Sequence, residues 1–122
     1  MGAYNWVRFD ARCPQCGEQA RMRAQCHVAS SYDADRDGRF FDIDYAVGQR
    51  MRWWSPDDPR HSSWRAGAQI EDTLRDRAVE CCHASCLRCQ AALYATIEFE
   101  SATAMAVADL GLEADWPADF GQ

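Results

Sequence analysis

The sequence predicts a mainly β fold with at most one short helix: an antiparallel sheet or a small barrel-like sandwich, clamped by four cysteines at its two ends. Three observations carry this expectation. Strict apolar–polar alternation runs through several segments of strand length. Two Cys-x-x-Cys pairs, Cys13/Cys16 and Cys86/Cys89, sit between such segments. At 122 residues, 48% hydrophobic and 26% charged, the chain has the size and composition of one folded domain. The expected domain is 1–122, with 111–122 as an irregular acidic tail.

From Asn5 to Ala11 the residues Val7, Phe9 and Ala11 alternate with more polar neighbours, which predicts a short strand leading into Cys13. Arg21 to Val28 alternates strictly, with Met22, Ala24, Cys26 and Val28 on one face and Arg21, Arg23, Gln25 and His27 on the other. A third strand is expected over Phe41 to Val47, with Phe41, Ile43, Tyr45 and Val47 on its apolar face. Gly48 then bends the chain, and Met51 and Trp53 continue that face. Ser55 to Gly67, with Pro56, Pro59 and several Asp and Ser residues, reads as a surface loop. Over Gln69 to Val79, Ile70, Leu74 and Ala78 recur at helical spacing and Glu71 can pair with Arg75, so one short helix is expected there. Leu93, Ala95, Ile97 and Phe99 alternate with Tyr94, Thr96 and Glu98, a clear strand. Thr103, Met105 and Val107, interleaved with alanines, fit either its hairpin partner or an alanine-rich helix.

The cysteine pairs carry the strongest chemical signal. A two-residue spacer lets a tight turn aim both thiolates at one tetrahedral metal, and a following glycine eases that turn. Cys13-Pro14-Gln15-Cys16-Gly17 has this form, and Cys86-Leu87-Arg88-Cys89 repeats it with Gln90 in the glycine position. Together they supply the four ligands of one closed structural Zn2+ site. The same motif also serves redox dithiols, but those open a helix in a βαβ setting that is not seen here. Cys26, His27, Cys81, Cys82 and His83 are candidates to replace a ligand or to form a second site.

On the residues Cys13 to Gly17, Cys86 to Cys89 and the strand Leu93 to Phe99, the chain resembles the zinc-ribbon families, and within them small bacterial ribbon proteins of uncharacterised function. The resemblance implies two zinc knuckles, each on a β-hairpin. Sixty-nine residues separate Cys16 from Cys86, against about 15–20 in compact ribbons. The intervening β segment is therefore expected to belong to the fold.

Asp33, Asp35 and Asp37 followed by Gly38, with Asp44 at the twelfth position, match a calcium-loop pattern. Asp44 stands where a longer glutamate normally reaches the ion, and the flanks read as strand rather than helix. The preferred reading is a polar hairpin turn, with Ca2+ unlooked for.

Arg50, Arg52, Trp53, Trp54, Arg60, His61, Trp64 and Arg65 crowd sixteen residues. Trp and Arg dominate protein interfaces and also stack on single-stranded bases; the competing use is core and edge packing. The net charge is −6. Residues 1–90 hold thirteen acidic and thirteen basic side chains, all of the latter arginine, and 91–122 hold six acidic and no basic ones. No nucleophile with its base, open metal site or phosphate-cradling loop is recognisable, so the expected role is non-catalytic. The favoured reading is a protein-interaction module presenting Arg50, Arg52, Trp54, Arg60, Trp64, Arg65, Glu98, Glu100 and Asp109. In its sharpest form it is an immunity or antitoxin-like protein covering a basic toxin. The alternative is a zinc-ribbon nucleic-acid binder using 50–65, against which the acidity weighs. Seven cysteines without a signal peptide, and no apolar run of membrane length, point to the cytoplasm and no membrane partner.

Overall fold

The computed structural model describes residues 2–64, 69–70 and 77–120. Its elements are β1 (Asn5–Arg12), β2 (Gln19–Cys26), β3 (Ser31–Asp35), β4 (Gly38–Phe40), β5 (Asp44–Ala46), β6 (Gln69–Ile70), β7 (Arg77–Cys86), β8 (Ala92–Glu100) and β9 (Thr103–Leu112), with 3-10 turns at Pro59–Ser63 and Glu113–Asp115. The fold is mainly β, as the alternation predicts. The main sheet runs in the order β5-β1-β2-β7-β8-β9, with β6 added beside β7, and curls into a half-barrel; β3 and β4 form a separate hairpin. Among the described residues no helix is long and apolar enough to cross a membrane.

Strands β1, β2 and β7 turn alternate residues inward and β8 is buried along most of its length; with Ala104 of β9 these make the core. Val7, Met22, Ala24, Cys26, Cys82, Leu93, Ala95, Ile97, Phe99 and Ala104 are all buried in one cluster. The cost of that burial is met by continuous ladders: β7 and β8 pair in register from Arg77↔Glu100 to Ser85↔Ala92, and β1 and β2 from Asn5↔Cys26 to Arg12↔Gln19. The β8–β9 hairpin settles the choice left open at 103–109 in favour of strand. It closes on Ser101 and Ala102, both at positive φ (47° and 61°), the backbone that a two-residue hairpin turn of the right twist requires.

Three expectations are corrected. The short helix over 69–79 is not formed at its described ends: Gln69↔Val79 and Ile70↔Ala78 pair as antiparallel strand, while 71–76 lie outside the described residues. The strand expected over Phe41–Val47 is strand only at Asp44–Ala46, because Asp42 sits at a φ of 55° and breaks the extended chain before it. That short strand pairs with β1 in parallel, Trp6↔Asp44 to Arg8↔Ala46, so the sheet is not purely antiparallel. Gly48, at a φ of 88°, then turns the chain across to the far edge. There Gly48 donates to the Ala104 carbonyl and Met51 to that of Ala102, both at 2.8 Å. Residues 44–51 thus lace the two edges of the half-barrel together at one end.

A second cluster lies under the β3–β4 hairpin. Phe40 is fully buried, with its ring centroid 4.6 Å from Trp54 and 5.2 Å from Trp53. Buried Asn5 ties this region to β1: its amide nitrogen donates to the Ala29 carbonyl at 3.0 Å, and its oxygen accepts from Ile43 N–H at 3.0 Å. Both halves of a polar side chain are thereby satisfied inside the fold.

Candidate metal centre

The two cysteine pairs occupy matching turns. After β1, Gly17 N–H donates to the Cys13 carbonyl (2.9 Å) and Cys13 N–H to that of Glu18 (2.9 Å). After β7, Gln90 N–H donates to the Cys86 carbonyl (2.7 Å) and Cys86 N–H to that of Ala91 (3.2 Å). Gly17 and Gln90 take the same left-handed conformation, at φ 74° and 62°, so the glycine position of the motif is reproduced even where glutamine fills it. Backbone N–H groups aim at the sulfurs: Gln15 and Cys16 at Cys13 Sγ (3.3 and 3.4 Å), and Cys89 at Cys86 Sγ (3.5 Å). Such donors stabilise a thiolate.

The topology brings the turns together. Met22 of β2 pairs with Cys86 of β7, and Leu87 N–H donates to the Arg21 carbonyl at 2.9 Å, so the second turn is bound to the strand that follows the first. All four sulfurs lie within 4.8 Å of one another, the one group of three or more metal-ligating side chains found this close among the described residues. Cys13 and Cys89 Sγ are 3.7 Å apart. A tetrahedral zinc with Zn–S bonds of about 2.3 Å sets its sulfurs about 3.8 Å apart. The donor set fits a metal ion. Cys13 and Cys86 are buried, Cys16 is half-buried and Cys89 is exposed, which places the site at the surface with one open rim.

The protonation of the cluster points the same way. The Cys89 backbone N–H and further donors lower Cys86 to about 7. Cys89, although the Ala91 backbone N–H lowers it, is pushed up to about 11 by desolvation and by sharing a proton with Cys13, Cys86 and Cys16. Cys86 thus gives up its proton far more readily than Cys89.

The remaining cysteine and histidine candidates are not drawn into this group. Cys82 lies four residues along β7 from Cys86, about 13 Å at strand rise. Strand alternation sends Cys82 into the core while Cys81 and His83 face outward. Burial pushes the Cys26 and Cys82 thiols up, with the nearby Glu80 charge adding to it, and Cys81 is raised by burial too. His83 packs on Trp116, with ring centroids 4.7 Å apart, and faces Glu113 at 3.3 Å. His27 is bound to a residue that sequence reasoning passed over. Buried Glu80 accepts from His27 N–H at 2.8 Å and meets its Nδ1 at 2.6 Å. The side-chain bond from Glu80, opposed by desolvation, raises the imidazole's pKa. Glu80 stands at an inward position of β7, between buried Ala78 and Cys82, where its charge interrupts the apolar alternation that would have marked the strand.

The aspartates of the calcium-like pattern are apart. Asp35↔Gly38 closes the β3–β4 hairpin, and Asp37 N–H donates to Asp35 Oδ1 at 2.9 Å. Asp35 also pairs with Arg52; against desolvation, which raises it, that bond holds the carboxyl below its ordinary value. Asp33 is exposed. Asp44 sits on β5 between Arg8 and Arg23.

Most of the aromatic and arginine segment is engaged internally. Trp54 and Trp64 are buried. Arg52 lies over the Phe40 ring and donates to the carbonyls of Gly38 and Arg39. Arg60 stacks 3.6 Å over Trp54 and pairs with Asp58, whose carboxyl it lowers to about 2. Arg50 forms a backbone β-bridge with Thr103 while its side chain is exposed, and Arg65 lies outside the described residues. Glu98, Glu100 and Asp109 are exposed on β8 and β9; Glu100 faces Arg77 at 3.5 Å, and Asp109 accepts from the Tyr94 hydroxyl at 2.8 Å.

Comparison with protein-family models, with curated proteins and with solved structures returns no match for this chain.

Proposed function

We propose that this chain is a non-catalytic protein-interaction module whose fold is clamped by one structural zinc ion, a zinc-ribbon-like centre with a long β insertion. The observation that carries the reading is the convergence of Cys13, Cys16, Cys86 and Cys89 Sγ within 4.8 Å. Four soft thiolates in tetrahedral reach select zinc over harder divalent ions, and a filled shell leaves no coordination position for substrate or water. Free thiols at all seven cysteines suit a reducing compartment such as the cytoplasm.

The partner surface is the acidic one. Glu98, Glu100 and Asp109 are exposed on adjacent strands, in the C-terminal stretch 91–122 that carries no basic residue. A basic partner matches that face, and an immunity-like role against a basic toxin is its specific form. The packing of Trp54 and Trp64 inside the fold supports this over nucleic-acid stacking. Capture of the zinc-loaded chain on an immobilised basic toxin tests it. Binding should be lost when Glu98, Glu100 and Asp109 are reversed to lysine. Retention under those changes, or salt-sensitive retention of the native chain on a DNA column, contradicts it.

A further inference from the structure

The half-barrel has an open seam. Counting antiparallel steps through β2, β7 and β8, strands β1 and β9 run in the same direction. Residues 44–51 lace them together only at one end. β5 covers β1 as far as Arg8↔Ala46, and the lacing segment covers β9 as far as Ala104. Beyond these points, among the described residues, β1 pairs only with β2 and β9 only with β8. The two free edges face each other across a cavity of about 680 Å³ lined by residues 8–11, 46–47 and 107–110, with Arg21 at its rim. That is within the roughly 300–1,000 Å³ of sites that hold a specific ligand.

The walls specify the ligand's backbone. Trp6 N–H donates to the Ile43 carbonyl at 2.8 Å, and the Arg8 carbonyl accepts from Val47 N–H at 3.3 Å, so the even-numbered residues of β1 turn their peptide groups toward this edge. By strand period, Asp10 and Arg12 do the same, with no strand opposite them among the described residues. The floor is apolar: Phe9, Ala11, Val107 and Leu110 are half-buried against the core, and Val47 is 36% exposed. The charges cancel. Arg21 pairs with Asp10 at 2.6 Å and Arg8 with Asp44, and Arg8 and Arg21 balance Asp10 and Asp109 around the lining. A neutral occupant with its own row of peptide donors and acceptors, and every second side chain apolar, complements all three properties.

We infer that the seam takes an extended, uncharged segment of a partner protein, which adds as a strand between β1 and β9 and completes the barrel. This rests on the interaction-module reading and places part of the contact at the seam.

The test uses the zinc-loaded full chain and linear dodecapeptides selected on it by phage display. Peptides that alternate apolar and polar residues should bind and slow amide exchange at Asp10 and Arg12. Asp10→Pro removes the edge-facing N–H together with the Arg21 pair, a change tolerated on an edge strand, and should weaken binding about tenfold. Asp10→Ala, which loses only the Arg21 pair, should stay within about threefold. Zinc content and thermal unfolding verify that Asp10→Pro folds; if it does not, Val47→Arg, which obstructs the seam from an exposed position, must give the same loss. Equal binding by the obstructed and native proteins overturns the seam, as does a selection with no peptide protecting those amides. Protection that appears without peptide as protein concentration rises assigns the edge to a second copy and overturns it too. Peptides lost only on Glu98→Lys and Glu100→Lys reversal overturn the seam but leave the interaction-module reading standing.

Discussion

Replacing Glu80 by glutamine removes one negative charge from a buried site and keeps its shape. In the native chain the carboxylate accepts from both the backbone N–H and Nδ1 of His27. Glutamine can accept only one of these and offers no charge to the imidazolium. A hydrogen bond to a charged partner contributes about 1.5–3 kcal/mol. The His27 side chain is 36% exposed, so solvent screening brings the expected loss down to about 1–2 kcal/mol. The pH dependence fixes the mechanism. The pKa of His27 is raised in the folded state, so its contribution is fully present below the unfolded value near 6.5 and is lost as pH rises through the folded value. Thermal unfolding of both proteins at pH 6 and pH 8.5, each zinc-loaded, reads this out. Glu80→Gln should unfold about 4–8 °C lower at pH 6, and the gap should narrow at pH 8.5. A gap equal at the two pH values would refute the charge pairing and leave only lost packing.

Three further substitutions probe separate parts of the fold. A Cβ at Gly111 would lie 2.8 Å from Tyr94 Cζ, so Gly111→Ala must displace that ring from Asp109 and should cost about 1–3 kcal/mol in urea denaturation. Arg52→Met takes the guanidinium from the Gly38 and Arg39 carbonyls and from Asp35, which keeps the Asp37 N–H; a lower urea midpoint and faster proteolysis at the β3–β4 turn are expected, and Lys should restore little of it. Ser101 and Ala102 both hold positive φ, so Ser101→Asn with Ala102→Gly should raise stability by about 1 kcal/mol; an unchanged urea midpoint would contradict the turn geometry.

Two of the long strands were legible because nothing interrupts their period in sequence: Met22, Ala24 and Cys26 are buried between more exposed neighbours, and Leu93, Ala95, Ile97 and Phe99 are all buried, although Tyr94 and Thr96 between them are buried too. The cysteine centre was legible for a local reason, since a two-residue spacer defines the turn whatever lies between the pairs. Other elements were hidden by single residues. Glu80 occupies an inward position of β7, and a carboxylate there masks the alternation of Ala78, Cys82 and Ala84; Ile70, Leu74 and Ala78 then suggested a helix. Ser101 and Ala102 form a turn that Asn-Gly would have announced. The break at Asp42 and the crossing at Gly48 depend on tertiary bonds donated by Ile43 to Asn5 and by Gly48 to Ala104, which no local pattern encodes. Trp54 and Trp64 showed the same limit, because composition does not reveal whether an aromatic side chain faces a partner or its own hairpin.

The clamp is tested most directly by metal analysis of the purified chain beside Cys86→Ser, with thermal unfolding of both. One zinc per native chain is expected, lost in the variant together with cooperative unfolding or a large part of the melting temperature. A native chain that carries no zinc after preparation in zinc-containing buffer, and melts where Cys86→Ser melts, would contradict the account.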